Sequence, residues 1–335
     1  MRFILKFCLL LLFSACAMAP VKKKKINGVS FVASRDTILS NHIEPLINVN
    51  ANYAAIMPFG FIRNLEHPEI THNTERQWFG ETRAGAKQYI RELHKNDIRV
   101  MIKPQIWVWH GEFTGFIEMK TEDNWKALEK TYSEFILEYA KLAEEVNVEI
   151  FCIGTELERF IDHRPEYWFS LIKKIREIYK GKLTYAANWN EFNRTPFWNM
   201  LDYIGIDAYF PVSDSKTPTI EESLKGWEKH KQEIKTIQKK NNKDILFTEY
   251  GYRSVDYSGK RPWMSDRSMN QVNLEAQTNT TKALFETFWN EDWFAGGFVW
   301  KWFINHNEVG GYDNFMFTPQ NKPVESIIKA QYKLK

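Results

Sequence analysis

Eight times along the chain a short apolar run gives way to an amphipathic one, and no other feature restricts the fold as much. Strand-like runs lie at 28–34, 53–59, 98–105, 149–155, 182–188, 201–209, 244–250 and 294–302. Helical patterns follow near 38–48, 81–95, 123–146, 165–180, 195–200, 220–241, 270–290 and 322–333. Apolar runs this short, each followed by a helix, suit parallel strands covered on both faces. Eight such units in 335 residues predict a (β/α)₈ barrel folded as a single domain over residues 27–335. An open doubly wound sheet is the alternative. Pro and Gly are scattered, so no linker or second domain is expected.

The first residues stand apart from this pattern. "MRFILK" is basic, "FCLLLLFSA" is apolar but too short to span a bilayer, and Ser14-Ala15 precede Cys16. Residues 1–15 therefore read as a signal peptide of lipoprotein type. Cys16 becomes the lipidated first mature residue, and 16–26 form a tether. Cleavage after 17–19 is the rival. The expected location is the envelope of a bacterial cell, with the membrane engaged only through Cys16. The formal charge of +3 is carried here: Arg2, Lys6 and Lys22 to Lys25 face no acid before residue 26, and the remainder is mildly acidic. No basic stripe is present, which argues against a nucleic-acid partner. Of three cysteines only Cys152 falls in a mature strand, so no internal disulfide is expected.

A barrel of this kind places its chemistry at the C-terminal ends of its strands. The fourth run ends in Glu156 and the seventh in Glu249. Counting alternate residues puts Cys152, Gly154 and Glu156 on the interior face of the fourth strand, with Phe151, Ile153 and Thr155 against the helices. The same count groups Ile245, Phe247 and Glu249, and also Phe298, Trp300 and Trp302. It does not separate Glu156 from Glu158. Glu158 lies past the strand beside Arg159, where a solvated or ion-paired role is expected. Two opposed carboxyls suit glycoside hydrolysis, one protonated to donate to the leaving oxygen and one ionised to attack or to activate water.

The rim is also aromatic. Of 13 tryptophans, Trp78, Trp107, Trp109, Trp189, Trp263, Trp300 and Trp302 fall at strand tips or in the following loops. Indole faces stack on the apolar C–H faces of sugars. Lys103, Gln105, His110, Asn188, Asn190 and Tyr209 are placed to meet hydroxyls. The sequence holds no HExxH, no paired His at helical spacing, no Cys cluster, no GxSxG and no phosphate loop. No metal and no cofactor is therefore expected, and the expected partner is an oligosaccharide or polysaccharide.

The segments "RVMIKPQIWVW", "FCIGTELE", "YAANW", "LDYIGIDAYFPV", "FTEYGYRS" and "GGFVWKW" resemble glycoside hydrolase family 113, within the retaining enzymes of clan A. The resemblance implies a β-1,4-mannanase-like activity by double displacement. It implies that Glu156 is the acid/base and Glu249 the nucleophile. It also implies that Tyr209 contacts that nucleophile and that Trp300 floors the sugar subsite beside it. Thr155 departs from the pattern, since clan members carry Asn just before the acid/base, where it bonds the sugar 2-hydroxyl. A glucan-cleaving or exo-acting β-glycosidase, or a glycan-binding lipoprotein without catalysis, are the rival readings.

Overall fold

A computed structural model describes residues 24–265 and 269–334. The signal segment, most of the tether and Cys16 lie outside the described residues. In chain order the strands are β1 (Ile26–Phe31), β2 (Tyr53–Ile56), β3 (Phe59–Ile62), β4 (Arg99–Ile102), β5 (Gln105–Val108), β6 (Ile150–Thr155), β7 (Lys182–Asn188), β8 (Tyr203–Asp207), β9 (Asp244–Tyr250) and β10 (Phe294–Trp302). The helices are α1 (Ser40–Asn48), α2 (Arg83–Lys95), α3 (Glu122–Glu145), α4 (Glu158–His163), α5 (Pro165–Ile178), α6 (Ile220–Asn241), α7 (Leu274–Phe288) and α8 (Pro323–Lys333).

Eight of the strands close into a parallel barrel in the order β1-β10-β9-β8-β7-β6-β4-β2. This is the (β/α)₈ architecture. The expected second and third strands each split in two. The barrel keeps β2 and β4, while their continuations β3 and β5 pair with each other in a separate parallel ladder above the rim. The split follows Pro58 and Pro104, which stand between the two parts of each run and have no N–H to donate to a ladder. The short helix expected at 195–200 is a single 3₁₀ turn, Trp198–Met200.

Two apolar layers hold the barrel. Its interior is filled by Ile26, Tyr53, Ala55, Met101, Ile150, Cys152, Ala186, Leu246 and Phe298. Large and small residues alternate in it, as the narrow bore requires. Gly28 is small because a Cβ there would sit 2.3 Å from the Phe298 ring. Outside, helices bury one face each. On α3 that face is Trp125, Leu128, Tyr132, Phe135, Ile136 and Tyr139, at three- and four-residue spacing. Thr121 caps its start by accepting from the Asn124 amide.

Candidate active site

The two strands that end in the paired glutamates each carry one extra residue just before the carboxylate. On β6, Cys152 pairs with Thr184, but the next partner, Ala186, faces Thr155. On β9, Phe247 pairs with Ile206, but the next partner, Asp207, faces Glu249. Such bulges bend a strand and re-aim its side chains. They overturn the face counts made from the sequence. Gly154 points outward, where a Cβ would lie 2.6 Å from Tyr132 Oη and 3.0 Å from Trp168. Ile245 and Phe247 belong to the outer layer, and Leu246 fills the bore. Thr155 and Glu249 reach the mouth because the bulges shift the alternation.

Side chains hold the β6 bulge. Tyr132 Oη donates to the Ile153 carbonyl at 2.9 Å, and the Cys152 thiol donates to the Gly154 carbonyl at 3.1 Å. Glu156 itself adopts φ +50°. Its amide donates to the Ala186 carbonyl at 2.8 Å, and Thr114 Oγ1 donates to the Glu156 carbonyl at 3.1 Å. Glu158, two residues on, opens α4 and pairs with Arg194.

Glu249 accepts from three directions. Lys103 Nζ donates to Oε1, Gln105 Nε2 donates to the same oxygen at 3.1 Å, and Tyr209 Oη donates to Oε2 at 2.7 Å. Three donors on one carboxyl match its ionised, acceptor-only form. Lys103 also donates to Asp207 at 3.2 and 3.3 Å, and Thr248 Oγ1 donates to Asp207 at 2.7 Å. The sequence placed Lys103 against the sugar. Instead it is 0% exposed and ties two carboxylates together beneath the mouth.

Electrostatics then divides the carboxyls. Burial, followed by Asp207 and Glu249, pushes Glu156 well above the usual carboxylate range. Burial and then Glu249 push Asp207 up to about 7 against the pull of Lys103. Burial alone would lower the Lys103 ammonium, but Asp207 and Glu249 outweigh it and hold the proton on. Burial and Glu249 keep the Tyr209 phenol far above its ordinary range, so it stays a donor. A carboxyl raised well above the usual range and a second one that accepts three donors are the unequal pair that acid–base chemistry requires.

The other residues expected at the site separate into groups. Asn188 lies at the β7 tip, level with Asp207 in the ladder. Its Oδ1 and Thr155 Oγ1 are buried without a hydrogen-bond partner. Trp107 and Trp109 are 48% and 63% exposed, and His110 is exposed and edge-on to Trp109 at 5.5 Å. Trp189 stacks on Trp263 at 5.2 Å. Trp78 is exposed on the loop after β3, with the Arg35 guanidinium over its ring at 5.5 Å. Trp300 is partly buried under the Lys301 ammonium, 5.3 Å from its ring.

Trp302 is not at the mouth. It is 0% exposed, packs in the outer layer and stands against His306. The face count failed there as well, since Phe298 fills the bore while Trp302 belongs to the opposite layer.

Sequence reasoning passed over Asp207, Thr248 and Glu191. Asp207 ends an apolar run at a strand tip, the same signal that singled out Glu156. Glu191 is buried in the loop after β7, its carboxyl accepting from Tyr185 Oη at 2.8 Å and from the Asn188 amide at 3.0 Å.

The profile of glycoside hydrolase family 113 matches residues 35–317. A solved family 113 β-1,4-mannanase, in a complex, superimposes with a TM-score of 0.81 at 21% identity, over 93% of this chain and 100% of that one. The family 113 β-mannanase AaManA of Alicyclobacillus acidocaldarius, in complex with ManMIm, gives 0.78 at 21% identity over 92% and 97%. The β-glucuronidase of Ruminococcus gnavus gives 0.62 at 15% identity, and there this chain spans half of the larger protein. No curated protein matches the sequence. The profile covers most of the chain, including the region that carries Glu156 and Glu249, and the chain is a glycoside hydrolase belonging to family 113.

Proposed function

We propose that the protein is a retaining, endo-acting β-1,4-mannanase with Glu156 as acid/base and Glu249 as nucleophile. The observation that carries this reading is the three donors that converge on Glu249, with Glu156 raised well above the usual carboxylate range by burial and its acidic neighbours. Glu156 gives its proton to the glycosidic oxygen as a Glu249 oxygen attacks the anomeric carbon. The C–O bond to the leaving chain breaks and a glycosyl-enzyme ester forms. The Glu156 carboxylate then takes a proton from water, the water oxygen attacks the same carbon, and Glu249 leaves as carboxylate. Lys103, Gln105 and Tyr209 donate to the free Glu249 carboxylate and orient it for attack, and they meet the carboxylate again when the ester is cleaved.

Thr155 and Asn188, at the tips of β6 and β7, are the polar side chains nearest in sequence and ladder to Glu156 and are proposed to meet the sugar hydroxyls there. Trp107 and Trp109 follow the third barrel strand and are exposed, and Trp263 from the loop after the seventh stacks on Trp189 from the loop after the fifth, so aromatic rings come from several loops around the mouth. That favours a chain lying across the site, and hence cleavage within it. The mannan assignment draws on the family 113 mannanases of the same fold.

Purified mannan, glucan and xylan are the test substrates, with product sizing over time and proton NMR of the first anomer released. Rapid loss of chain length on mannan with a β-anomer first is expected. Glu156→Gln and Glu249→Gln should each remove most of that activity, and near wild-type turnover by either would refute the assignment. Export and anchoring at Cys16 belong to the same proposal. Cells grown with an alkyne fatty acid should label the wild type and not Cys16→Ala.

A further inference from the structure

Glu191 is a buried carboxyl that the chemistry above does not use. It lies in the β7–β8 connection, 3% exposed. One oxygen accepts from Tyr185 Oη at 2.8 Å, and the other accepts from the Asn188 amide at 3.0 Å. Tyr185 in turn accepts from the Leu157 amide at 2.7 Å. Leu157 directly follows Glu156, whose backbone sits in the left-handed region, and Asn188 carries the unpartnered Oδ1 at the mouth. A single carboxyl thus ties the turn that follows the proposed acid to the tip of the neighbouring strand β7, through one phenol to the first and directly to the second.

We propose that Glu191 is the positioning residue of Glu156, acting through Tyr185 on the Leu157 amide and directly on the Asn188 amide. This rests on the assignment of Glu156 as acid/base. The turn after β6 needs such an anchor. A residue held at positive φ resists relaxation only when neighbouring groups over-determine it. Here the Leu157 amide has a phenol oxygen for its partner, and that phenol has Glu191. The carboxyl tolerates its place because it keeps a proton easily: burial pushes Glu191 up to about 8 against the two bonds it accepts. Glu158 and Arg194 are the charged groups that face it, and Glu156 lies within range of its field.

Leaving-group chemistry separates positioning from bulk stability. A misplaced acid slows departure of a sugar alkoxide, which needs a proton, far more than departure of a dinitrophenolate, which does not. The substrates are mannohexaose and a dinitrophenyl β-mannotrioside, with kcat/KM measured for the wild type, Glu191→Ala, Glu191→Gln and Tyr185→Phe beside thermal melts. Glu191→Ala and Tyr185→Phe should lose roughly 10–100-fold on mannohexaose and about 3-fold or less on the aryl glycoside. Glu191→Gln, which keeps one acceptor, should fall between the wild type and Glu191→Ala. Equal losses on both substrates, or none on either, would overturn the positioning role. Should Glu191→Ala fail to fold, the same ratio in Glu191→Gln and Tyr185→Phe decides. Glu156→Gln serves as the control for the underlying assignment: if it keeps activity on mannohexaose, that assignment and this inference both fall, whereas a dead Glu156→Gln beside unaltered ratios removes the inference alone.

Discussion

Lys103→Met removes the charge that bridges Asp207 and Glu249. The ammonium lies 3.2 Å from Asp207 and donates to Glu249, with no exposure of its own. At that distance the gross attraction to Asp207 alone is ~5 kcal/mol at an effective dielectric near 20. Much of it is offset by the cost of drying the ions, but breaking a buried pair leaves its partners dry and unpaired, at about 3–5 kcal/mol. Methionine matches the stem in length, so packing is nearly kept and the loss is mainly electrostatic. An unfolding entropy of ~2.1 cal/mol/K per residue converts that into a Tm fall of about 4–7 °C for a chain of this size. The cost depends on pH. Asp207 takes a proton near 7 in the wild type, so below that pH Lys103 has less charge to offset. Calorimetry at pH 5 and pH 8 should therefore find the larger deficit at pH 8. Activity falls in parallel, by roughly 100-fold or more, since the nucleophile loses the charged donor that orients it. A variant that melts within about 1 °C of the wild type at pH 8 would refute the reasoning, as would an equal deficit at both pH values.

Wild-type stability should fall as pH rises from 5 to 7, because the folded chain holds protons that the unfolded chain has released. Asp207 and Glu191 are raised from 3.8 and 4.5 to about 7 and about 8, so each contributes stability that is present at low pH and lost through this window, up to about 2 kcal/mol apiece. His72, lowered by burial, works the other way, as does Lys322 above its value of about 7; a Tm that rises across pH 5–7 would contradict the larger pair. Gly154→Ala should cost about 2 kcal/mol or more and lower kcat, since the new methyl meets Tyr132 Oη at 2.6 Å at the bulge that aims Glu156; a neutral outcome in melt and turnover would show that the bulge tolerates a side chain. Trp302→Ala should cost about 3–5 kcal/mol, whereas Trp109→Ala, largely exposed, should leave the melt within about 0.5 kcal/mol and raise KM on long oligosaccharides. The reverse pattern would place Trp302 in the cleft after all.

The eight-fold alternation and the positions of Glu156 and Glu249 were legible in the chain itself, because both are local. An apolar run too short to be a helix, closed by a carboxylate, reads the same way wherever the strand packs. Face assignment was less secure, since a two-residue period survives only until one residue is inserted. Whether Gly154 is that residue is decided by Tyr132, Trp168 and Tyr185, which crowd its outer side from α3, α5 and β7. The same limit misplaced Trp302 and grouped Glu249 with Phe247. Lys103 shows the second limit. Its partners lie 104 and 146 residues away, and no pattern around a lysine at a strand end distinguishes a sugar contact from a buried counter-ion. Local periodicity determined the barrel and the two carboxylates at its mouth. Only closure of the barrel decided which carboxyl holds a proton, because that depends on the charges brought together from β4, β6, β8 and β9.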